Sequence, residues 1–519
     1  MAERDVFYLW HLEHLGVISR ASGGWSAPLW DEARSADPVT VAIIDSGLDP
    51  LHPNLDTALV APQIDFGPRV TGAVYRSAGS AVAALRRAMA AGHGDLKAIV
   101  GRVLAEVSDH AAGAGLDIAQ LRVLHDTVHS AGDPTPAARA FLDALSVRPV
   151  DTASVDPAFG DTAARIHDLD LTHDQTTAVT AIVEQMAAGY VPIDMPDPAQ
   201  YFGAHATACA GLVGGRPPQD QDHAFFGALP YYGVNPFCRI ASYATPYSHE
   251  IRPVINALLA AYLSGAAVIL MPRGLPDVAA RRALPPSARR GTRIETSDAV
   301  HPVKLVAEDQ ANLAALERDR DLAEALLLAI AKRRYLVLAA GNEGHATALA
   351  YPASAGGLAD RAIVVAAVTR DGLRASYSNG AHDPATVMHM VSDDAEVLHR
   401  DDQRIDAHSL TGSDFRFGPV DLSSANARYV PWAPLSLDVR GPYGFAASSQ
   451  RDVPDFADGV DVASLYTLFG GTSAAASQAA GVISLLIQAG KLPAMPTSGI
   501  QPVIAAMHAQ DLHHALPVT

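Results

Sequence analysis

Cysteine and positive charge are both scarce in this sequence. Among its 519 residues only Cys209 and Cys238 are cysteines, too few for a disulfide framework and typical of a reducing compartment. We expect both to be small buried thiols. Lysine and arginine number 38 against 56 aspartate and glutamate residues, a formal charge of -18. That charge repels phosphate backbones and anionic lipids, so neither nucleic acid nor a membrane is an expected partner.

A secretion signal and a membrane span are also missing. The first residues, MAERDVFYLWHLEHLG, are acidic where a signal peptide needs a basic region, and no apolar run precedes a small-residue cleavage site. The longest apolar stretch, 253–271, is interrupted by Asn256, Ser264 and Gly265, which favours a helix, a glycine stop and a buried strand. These absences predict a cytoplasmic protein. Apolar residues make up 49% of the chain, which indicates a globular fold.

Short β-branched runs that end in turn residues recur along the chain. They lie at 39–49, 266–271, 335–342 and 361–368. Helical patterns, such as those at 251–264 and 322–332, separate several of them. This alternation predicts an α/β fold with a mainly parallel β-sheet flanked by helices on both faces. Functional groups are then expected at the carboxyl ends of the strands.

Residues 68–200 interrupt this alternation. They are rich in alanine and show helical periodicity with no convincing strand, which predicts a mainly helical insertion. Four helices are expected at 78–92, 95–113, 117–132 and 135–146. A further helix should run from Thr172 to Gly189, because Thr172 and Gln175 have the spacing of a capping box. The expected division is 1–67 and 201–490 for the main domain, with a surface-loop insertion at 275–325, and 491–519 for a C-terminal tail that packs on the domain.

Four polar residues stand where acyl transfer by a serine would need them. Ser473 follows a Gly-Gly-Thr turn and opens a long apolar helix, whose N-terminal N–H groups and dipole favour negative charge near its oxygen. His205 lies in the first turn of a helix of small residues, and Asp45 ends a buried strand. Asn342 follows another buried strand, where its amide could donate to an oxyanion together with the Ser473 N–H.

The strings around these residues are DSGLD, HATACAG, AAGNEG and GTSAAAS. They resemble, in the family's order, the motifs of the subtilisin-like serine peptidases. The linking segments DPLHPNL, SGAAVILMPRG and the stretch 351–380 look alike as well, so the resemblance covers about residues 10–65 and 200–490 outside the insertions. It implies a three-layer subtilisin-like fold and a serine endopeptidase that forms an acyl-enzyme. Asp45, His205 and Ser473 would be the catalytic triad, and Asn342 the oxyanion donor.

The resemblance also implies a cleft for an extended protein or peptide substrate. The expected substrate-binding residues are Met271, Pro272, Arg273, Gly274, Ala340, Gly341, Glu343 and Ala350. Glu343 would lie at the mouth of the pocket for the residue before the cleaved bond and could accept basic side chains. Arg273 either faces the cleft, where it would favour acidic or polar substrate residues, or points to solvent.

No cofactor is expected; the many acidic residues leave weak calcium binding open, but no calcium site is recognisable. Asn54 stands where many members of the family have a calcium-binding aspartate, and the loop that would complete such a site is not recognisable. Pairs such as His11 and His14 lack further metal ligands at standard spacing. No inhibitory propeptide is apparent, so the insertions or a regulatory partner protein would gate the cleft. The alternative function is a catalytically silent interaction protein that docks through its helical insertion, although such a protein has no need of Asp45 or Asn342.

Overall fold

The computed structural model describes most of the predicted α/β core. The described residues are 9–21, 24–49, 52–55, 64–66, 73–75, 85, 88–89, 95–110, 118–145, 162–187, 191–193, 203–217, 230–245, 251–275, 293–294, 303–304, 310–393, 433–439, 465–496 and 499–513. Within them, no helix is both apolar enough and long enough to cross a lipid bilayer.

The described strands and helices alternate as the sequence predicts. The strands are β1 Ser19–Ala21, β2 Gly24–Ser26, β3 Thr40–Asp45, β4 Ile64–Asp65, β5 Ala73–Tyr75, β6 Val191–Ile193, β7 Arg239–Ala244, β8 Val268–Met271, β9 Arg293–Ile294, β10 Val303–Lys304, β11 Tyr335–Ala339, β12 Ile363–Val368, β13 Met388–Val391, β14 Leu435–Leu437 and β15 Tyr466–Leu468. The helices are α1 Trp10–His14, α2 Pro28–Arg34, α3 Leu96–His110, α4 Ile118–Ser130, α5 Thr135–Leu145, α6 Thr162–His167, α7 His173–Ala187, α8 Gly203–Gly214, α9 Arg252–Leu263, α10 Gln310–Ala331, α11 Gly471–Gln488 and α12 Gln501–His508.

One nine-stranded sheet organises the fold, in the order β13-β12-β11-β8-β3-β7-β4-β5-β6. The strands from β13 to β4 in this order run parallel, whereas β5 is antiparallel to β4. The carboxyl ends of the parallel strands therefore meet along one edge. The α/β fold with a mainly parallel sheet is confirmed.

The central strand β3 separates two apolar cores. Val41 and Ile43 pack in one core together with α1, α2, α8, α11 and α12. Ala42 and Ile44 point to the opposite face, into a second core that includes α6, α7, α9 and α10. Alternation of side chains along a strand produces this division, and it explains why the strand is apolar on both faces. Helices therefore cover the sheet on both sides, which is the predicted three-layer arrangement.

The segment 68–200 is only partly as expected. Helices α3, α4 and α5 match three of the four predicted helices and share a small apolar core of their own. The fourth, at 78–92, lies mostly outside the described residues. The prediction that this segment has no strand was wrong, because β5 and β6 belong to it and extend the main sheet. Strands of three residues are too short to leave a periodic signal in the sequence.

Two helix boundaries can be compared in detail with the sequence patterns. At α7 the capping box is confirmed, since the Thr172 N–H donates to Gln175 Oε1 at 3.0 Å and the Gln175 N–H to Thr172 Oγ1 at 3.4 Å. That helix is described as far as Ala187, and its predicted end at Gly189 lies outside the described residues. The helix predicted at 322–332 begins at Gln310, inside the segment expected to be a loop insertion. Its charged N-terminal half masks the apolar periodicity that marks the rest.

Candidate active site

Asp45 and His205 meet at the carboxyl end of β3. Asp45 is the last residue of that strand and is 1% exposed, and its Oδ2 lies 2.5 Å from Nδ1 of His205. The backbone N–H of Ser46 donates to the other carboxylate oxygen at 2.6 Å. On the next strand, the Thr245 N–H donates to the Asp45 carbonyl oxygen at 2.6 Å. The Ser46 contact holds the carboxylate and the Thr245 contact holds the Asp45 backbone, so the carboxylate can orient the imidazole.

The surroundings of His205 favour its charged form. Burial lowers the pKa of the imidazole, but the Asp45 carboxylate more than offsets this, and the net pKa lies well above the ordinary value of 6.5. The edge of Phe469 packs against the ring, with centroids 5.4 Å apart. An imidazole that gains a proton readily and is held in place by its neighbours suits a general base.

A thiol lies near the same imidazole nitrogen that contacts Asp45. Cys209 is one helical turn after His205 on α8, and its Sγ lies 3.9 Å from His205 Nδ1. Burial raises the pKa of this thiol, so it stays protonated and neutral. Both Cys209 and Cys238 are free and fully buried, which confirms the expectation of two small buried thiols.

Ser473 lies in the first turn of α11, where backbone N–H groups lack helical acceptors. The Gly471 N–H donates to the hydroxyl of Tyr377 at 3.0 Å. The Thr472 N–H donates to Oδ1 of Asn342 at 2.9 Å. Among the described residues the Ser473 N–H has no acceptor. The helix start therefore directs one unused donor at the position of the serine.

The Asn342 amide is oriented by the same turn. Its Oδ1 accepts from both the N–H and the hydroxyl of Thr472, each at 2.9 Å. The Thr472 hydroxyl is also an acceptor for the Gly341 N–H at 3.3 Å. With the oxygen engaged in this way, the Nδ2 group of this half-buried side chain is left to donate elsewhere.

The serine hydroxyl does not donate to the imidazole in this structure. Ser473 Oγ donates to the carbonyl oxygen of Pro272 at 2.8 Å. A hydroxyl has one proton, so this bond excludes simultaneous donation to His205. The described structure thus brings Asp45 together with His205 and Asn342 together with the Ser473 turn, and the serine hydroxyl is bonded to Pro272.

The segment 271–274, predicted to be one wall of the substrate cleft, begins at the last residue of β8 and lies beside Ser473. Met271 ends the strand and is fully buried, Pro272 supplies the carbonyl acceptor, and Gly274 is buried. Arg273 is 2% exposed, and its Nη1 donates to Thr245 Oγ1 at 3.0 Å. The alternative that Arg273 points to solvent is therefore wrong. A preference for acidic or polar substrate residues stays a prediction.

The other predicted wall, at 340–350, is contiguous. The Ala350 N–H donates to the Ala340 carbonyl oxygen at 2.8 Å, and Gly341 has a φ of 108°, which favours glycine. A side chain there would also come within 2.5 Å of Ala350 and Glu343. Glu343 is exposed, and its Oε2 accepts from Asn379 Nδ2 at 2.5 Å. All four predicted residues of this wall are therefore neighbours.

The surroundings of the Asn54 side chain in the described residues do not fit a calcium ligand. The Asn54 side chain is fully buried, and its Oδ1 accepts from the Tyr466 hydroxyl at 2.6 Å. Its Nδ2 donates to the Arg216 carbonyl oxygen at 3.1 Å. A hard cation needs several free oxygen ligands, whereas here the amide nitrogen points at a carbonyl. Protein hydrogen bonds thus occupy both ends of this side chain.

Several residues of the site escaped sequence reasoning. Cys209 could have been found, because a spacing of four on a helix places it on the face of His205. Phe469 carries a weaker signal, its position just before the Gly-Gly-Thr turn. Tyr377 and Asp393 carry none, because they reach the helix start only through the order of the strands.

The similarity of the chain to known proteins lies in one family model and, at a low level, in solved structures. The model of the subtilase family matches residues 36–395. No curated protein matches the chain. Similar solved structures include a protease of Pseudoalteromonas arctica, at 15% identity over 94% of this chain and 86% of that one, with a TM-score of 0.37. The nisin leader peptidase NisP of Lactococcus lactis has 11% identity over 94% of this chain and 86% of its own, with a TM-score of 0.39. The serine protease of Aeromonas sobria has 15% identity over 87% of this chain and 47% of its own, with a TM-score of 0.36. Structural likeness this low carries no weight of its own beside the family match.

Proposed function

The chain belongs to the subtilase family of serine peptidases, and we propose that it is an endopeptidase with Asp45, His205 and Ser473 as its catalytic triad. The observation that carries this proposal is the 2.5 Å contact between Asp45 and His205, whose ring packs against Phe469 just before the helix start that bears Ser473. A buried carboxylate bonded to an imidazole Nδ1 is the arrangement that prepares Nε2 to accept a proton.

The reaction begins when substrate binds and Ser473 leaves its carbonyl acceptor. Rotation of the serine side chain from Pro272 redirects its proton to His205 Nε2. Apo structures often have loose or misdirected catalytic hydrogen bonds that form only with substrate. Serine Oγ then attacks the scissile carbonyl carbon, and the imidazole holds the proton as an imidazolium stabilised by Asp45.

The tetrahedral intermediate places negative charge on the former carbonyl oxygen. The Ser473 N–H, unused in the described structure, and the Asn342 Nδ2 are the two donors we assign to it. His205 returns its proton to the leaving amine, which breaks the peptide bond and leaves an acyl ester on Ser473. Water, activated by the same imidazole, hydrolyses the ester and regenerates the enzyme.

The substrate is a protein or peptide that lies in extended form between the two walls, 271–274 and 340–350. We assign Glu343 to the mouth of the pocket before the cleaved bond, where its exposed carboxylate would attract basic side chains. The reaction as proposed uses no cofactor. A cytoplasmic location and a regulatory partner protein belong to the same proposal, and both rest on the sequence.

A fluorophosphonate probe tests the nucleophile directly. Wild type should become covalently labelled, and Ser473→Ala should not. Ser484→Ala is the matched control, because Ser484 is a buried serine further along α11 whose hydroxyl donates to the Gly481 carbonyl oxygen at 2.8 Å. It should label at the wild-type rate. Cleavage of casein by wild type and by the control, with new internal termini mapped by mass spectrometry, tests the endopeptidase assignment.

Two outcomes would contradict the proposal. An unlabelled wild type that is folded would favour the catalytically silent alternative, for which the separate apolar core of α3, α4 and α5 offers a docking module. Labelling of Ser473→Ala at the wild-type rate would show that another residue reacts.

A further inference from the structure

A buried polar cluster lies beneath the turn that precedes Ser473. Its members are Tyr377, from the segment between β12 and β13, and Ser392 and Asp393, which follow β13. All three are almost completely buried, at 8%, 0% and 0% exposed. We call these three residues the cradle. None of them was expected to have a role from the sequence.

The cradle binds the turn through both peptide groups of Gly471. The Gly471 N–H donates to the Tyr377 hydroxyl at 3.0 Å and more distantly to Asp393 Oδ1 at 3.4 Å. The Ser392 hydroxyl donates to the Gly471 carbonyl oxygen at 3.1 Å. The residue two positions before the serine is therefore held at its nitrogen and at its oxygen.

Asp393 fixes the direction of the tyrosine hydroxyl. Tyr377 donates to Asp393 Oδ1 at 2.8 Å, the shortest of its contacts in the cradle. Burial, reinforced by this carboxylate, holds the pKa of Tyr377 well above its ordinary value of 10.0, so the phenol keeps its proton. Because the phenol donates its proton toward Asp393, a lone pair of the Tyr377 oxygen is available to accept from the Gly471 N–H.

Two glycines, Gly470 and Gly471, let the turn before Ser473 pack directly against the Asp393 carboxylate. A Cβ on Gly470 would lie 2.0 Å from Asp393 Oδ1, so only glycine permits the contact. Gly471 has a φ of 75°, in the region that favours glycine. A carboxylate below the first turn of α11 also interacts favourably with the positive end of the helix dipole. The Gly-Gly pair and the cradle are thus complementary.

The cradle determines which N–H remains for the oxyanion. It takes the Gly471 N–H, and Asn342 takes the next one, on Thr472. The first N–H that is left without an acceptor in the described chain is that of Ser473. A small rotation of the turn would tilt this donor and the serine Oγ together, because both belong to the same residue.

We propose that Tyr377, oriented by Asp393, is a positioning residue that sets the attack geometry of Ser473. This inference rests on the proposed function. The cradle holds the backbone of Gly471, two residues before Ser473, so we expect it to act on the chemical step and to leave substrate binding unchanged. A displacement of about 1 Å at a reacting group costs roughly a hundredfold in rate. We therefore expect Tyr377→Phe to lower kcat by roughly ten- to a hundredfold with KM unchanged.

The experiment compares Tyr377→Phe with Tyr335→Phe. Tyr335 is also almost fully buried, at 2% exposed, and its hydroxyl donates to the Pro493 carbonyl oxygen at 3.1 Å. It begins β11, at the sheet edge opposite the site, so it reports the general cost of losing a buried phenol hydroxyl. Peptide p-nitroanilide kinetics, fluorophosphonate labelling rates and thermal unfolding are measured for wild type and for both variants.

The outcomes separate this inference from the proposed function. A lower kcat and a lower labelling rate in Tyr377→Phe alone, with equal unfolding temperatures for the two variants, support positioning. If wild type labels and both variants label as fast as it does, the inference is overturned and the peptidase assignment stands. A folded wild type that does not label overturns both. Should Tyr377→Phe fail to fold, Ser392→Ala removes the other hold on Gly471, and an unchanged kcat in that variant overturns the inference.

Discussion

Replacement of Asn342 by alanine removes one of the two proposed oxyanion donors. The side chain is oriented before substrate arrives, since Thr472 holds its Oδ1 through two hydrogen bonds of 2.9 Å. A donor fixed in this way costs no reorganisation when charge develops, which is why such groups are effective. Loss of one oxyanion donor costs about 3 to 4 kcal/mol of transition-state stabilisation. We therefore expect kcat to fall by about 100- to 1000-fold, with KM little changed.

Alanine also deprives Thr472 of its acceptor, so a second variant is needed to assign the loss. Asn342→Asp keeps an oxygen for the N–H and the hydroxyl of Thr472 but has no N–H to donate. If the amide acts as a donor, Asn342→Asp should be at least as slow as alanine, because it adds negative charge next to the oxyanion. If the amide only orients the turn, Asn342→Asp should recover most of the activity.

The assay is steady-state hydrolysis of a peptide amide substrate, with thermal unfolding to check that each variant is folded. A value of kcat for Asn342→Ala within threefold of wild type would refute the oxyanion assignment. Recovery of activity in Asn342→Asp would refute donation and retain only the structural contact with Thr472.

Three further outcomes follow from the buried polar groups. Asp45→Asn should shift the acid limb of the pH profile of kcat/KM to lower pH, because the carboxylate raises the pKa of His205 and activity needs the neutral imidazole. An acid limb at the wild-type pH would contradict the role of the Asp45–His205 pair. His11 is fully buried, and burial lowers its pKa from 6.5 to about 3. The stability that its neutral form gives is therefore complete above pH 6.5 and is lost as pH falls toward 3. The unfolding free energy should decrease by roughly 5 kcal/mol across this window. His11→Leu should flatten the pH dependence of the unfolding free energy in that window, and an unchanged slope would contradict this. Asn54→Asp should lower the free energy of unfolding in urea by about 1 to 3 kcal/mol, because it places a carboxylate oxygen next to the Arg216 carbonyl oxygen. Recovery of stability on addition of calcium would show that a cation site exists.

Local patterns in the sequence were sufficient to predict the candidate residues that lie at the end of a strand or at the start of a helix. The β-branched run before Asp45 predicts a buried strand, and β3 ends at that residue. The Gly-Gly-Thr turn predicts a helix start at Ser473, and α11 begins at Gly471. In both cases the signal lies within a few residues of the functional group. The partner of Asp45, 160 positions away in the chain, came from the family resemblance and not from periodicity.

Contacts that depend on strand order could not be predicted. Arg273 was expected either in the cleft or in solvent, but its side chain is buried and donates to Thr245. Thr245 lies at the end of β7, two strands from β8 in the sheet. The strands β5 and β6 were missed because each has three residues and gains its stability by pairing with the sheet edge. Side-chain identity alone does not encode such pairings.

The parallel sheet explains why the site is assembled from so many separate segments. Along one edge, β3 ends in Asp45, β8 is followed by Pro272, and β11 by Asn342. The connection after β12 supplies Tyr377, and the residues after β13 supply Asp393. Except for Asp45, which contacts His205, each of these groups contacts the first turn of α11. Since these strands are consecutive neighbours in the sheet, a shift of one residue in any strand pair would remove one group from the turn. The geometry around Ser473 therefore depends on the register of the sheet. Substitutions that weaken the pairing of β12 with β13 should lower kcat before they unfold the protein.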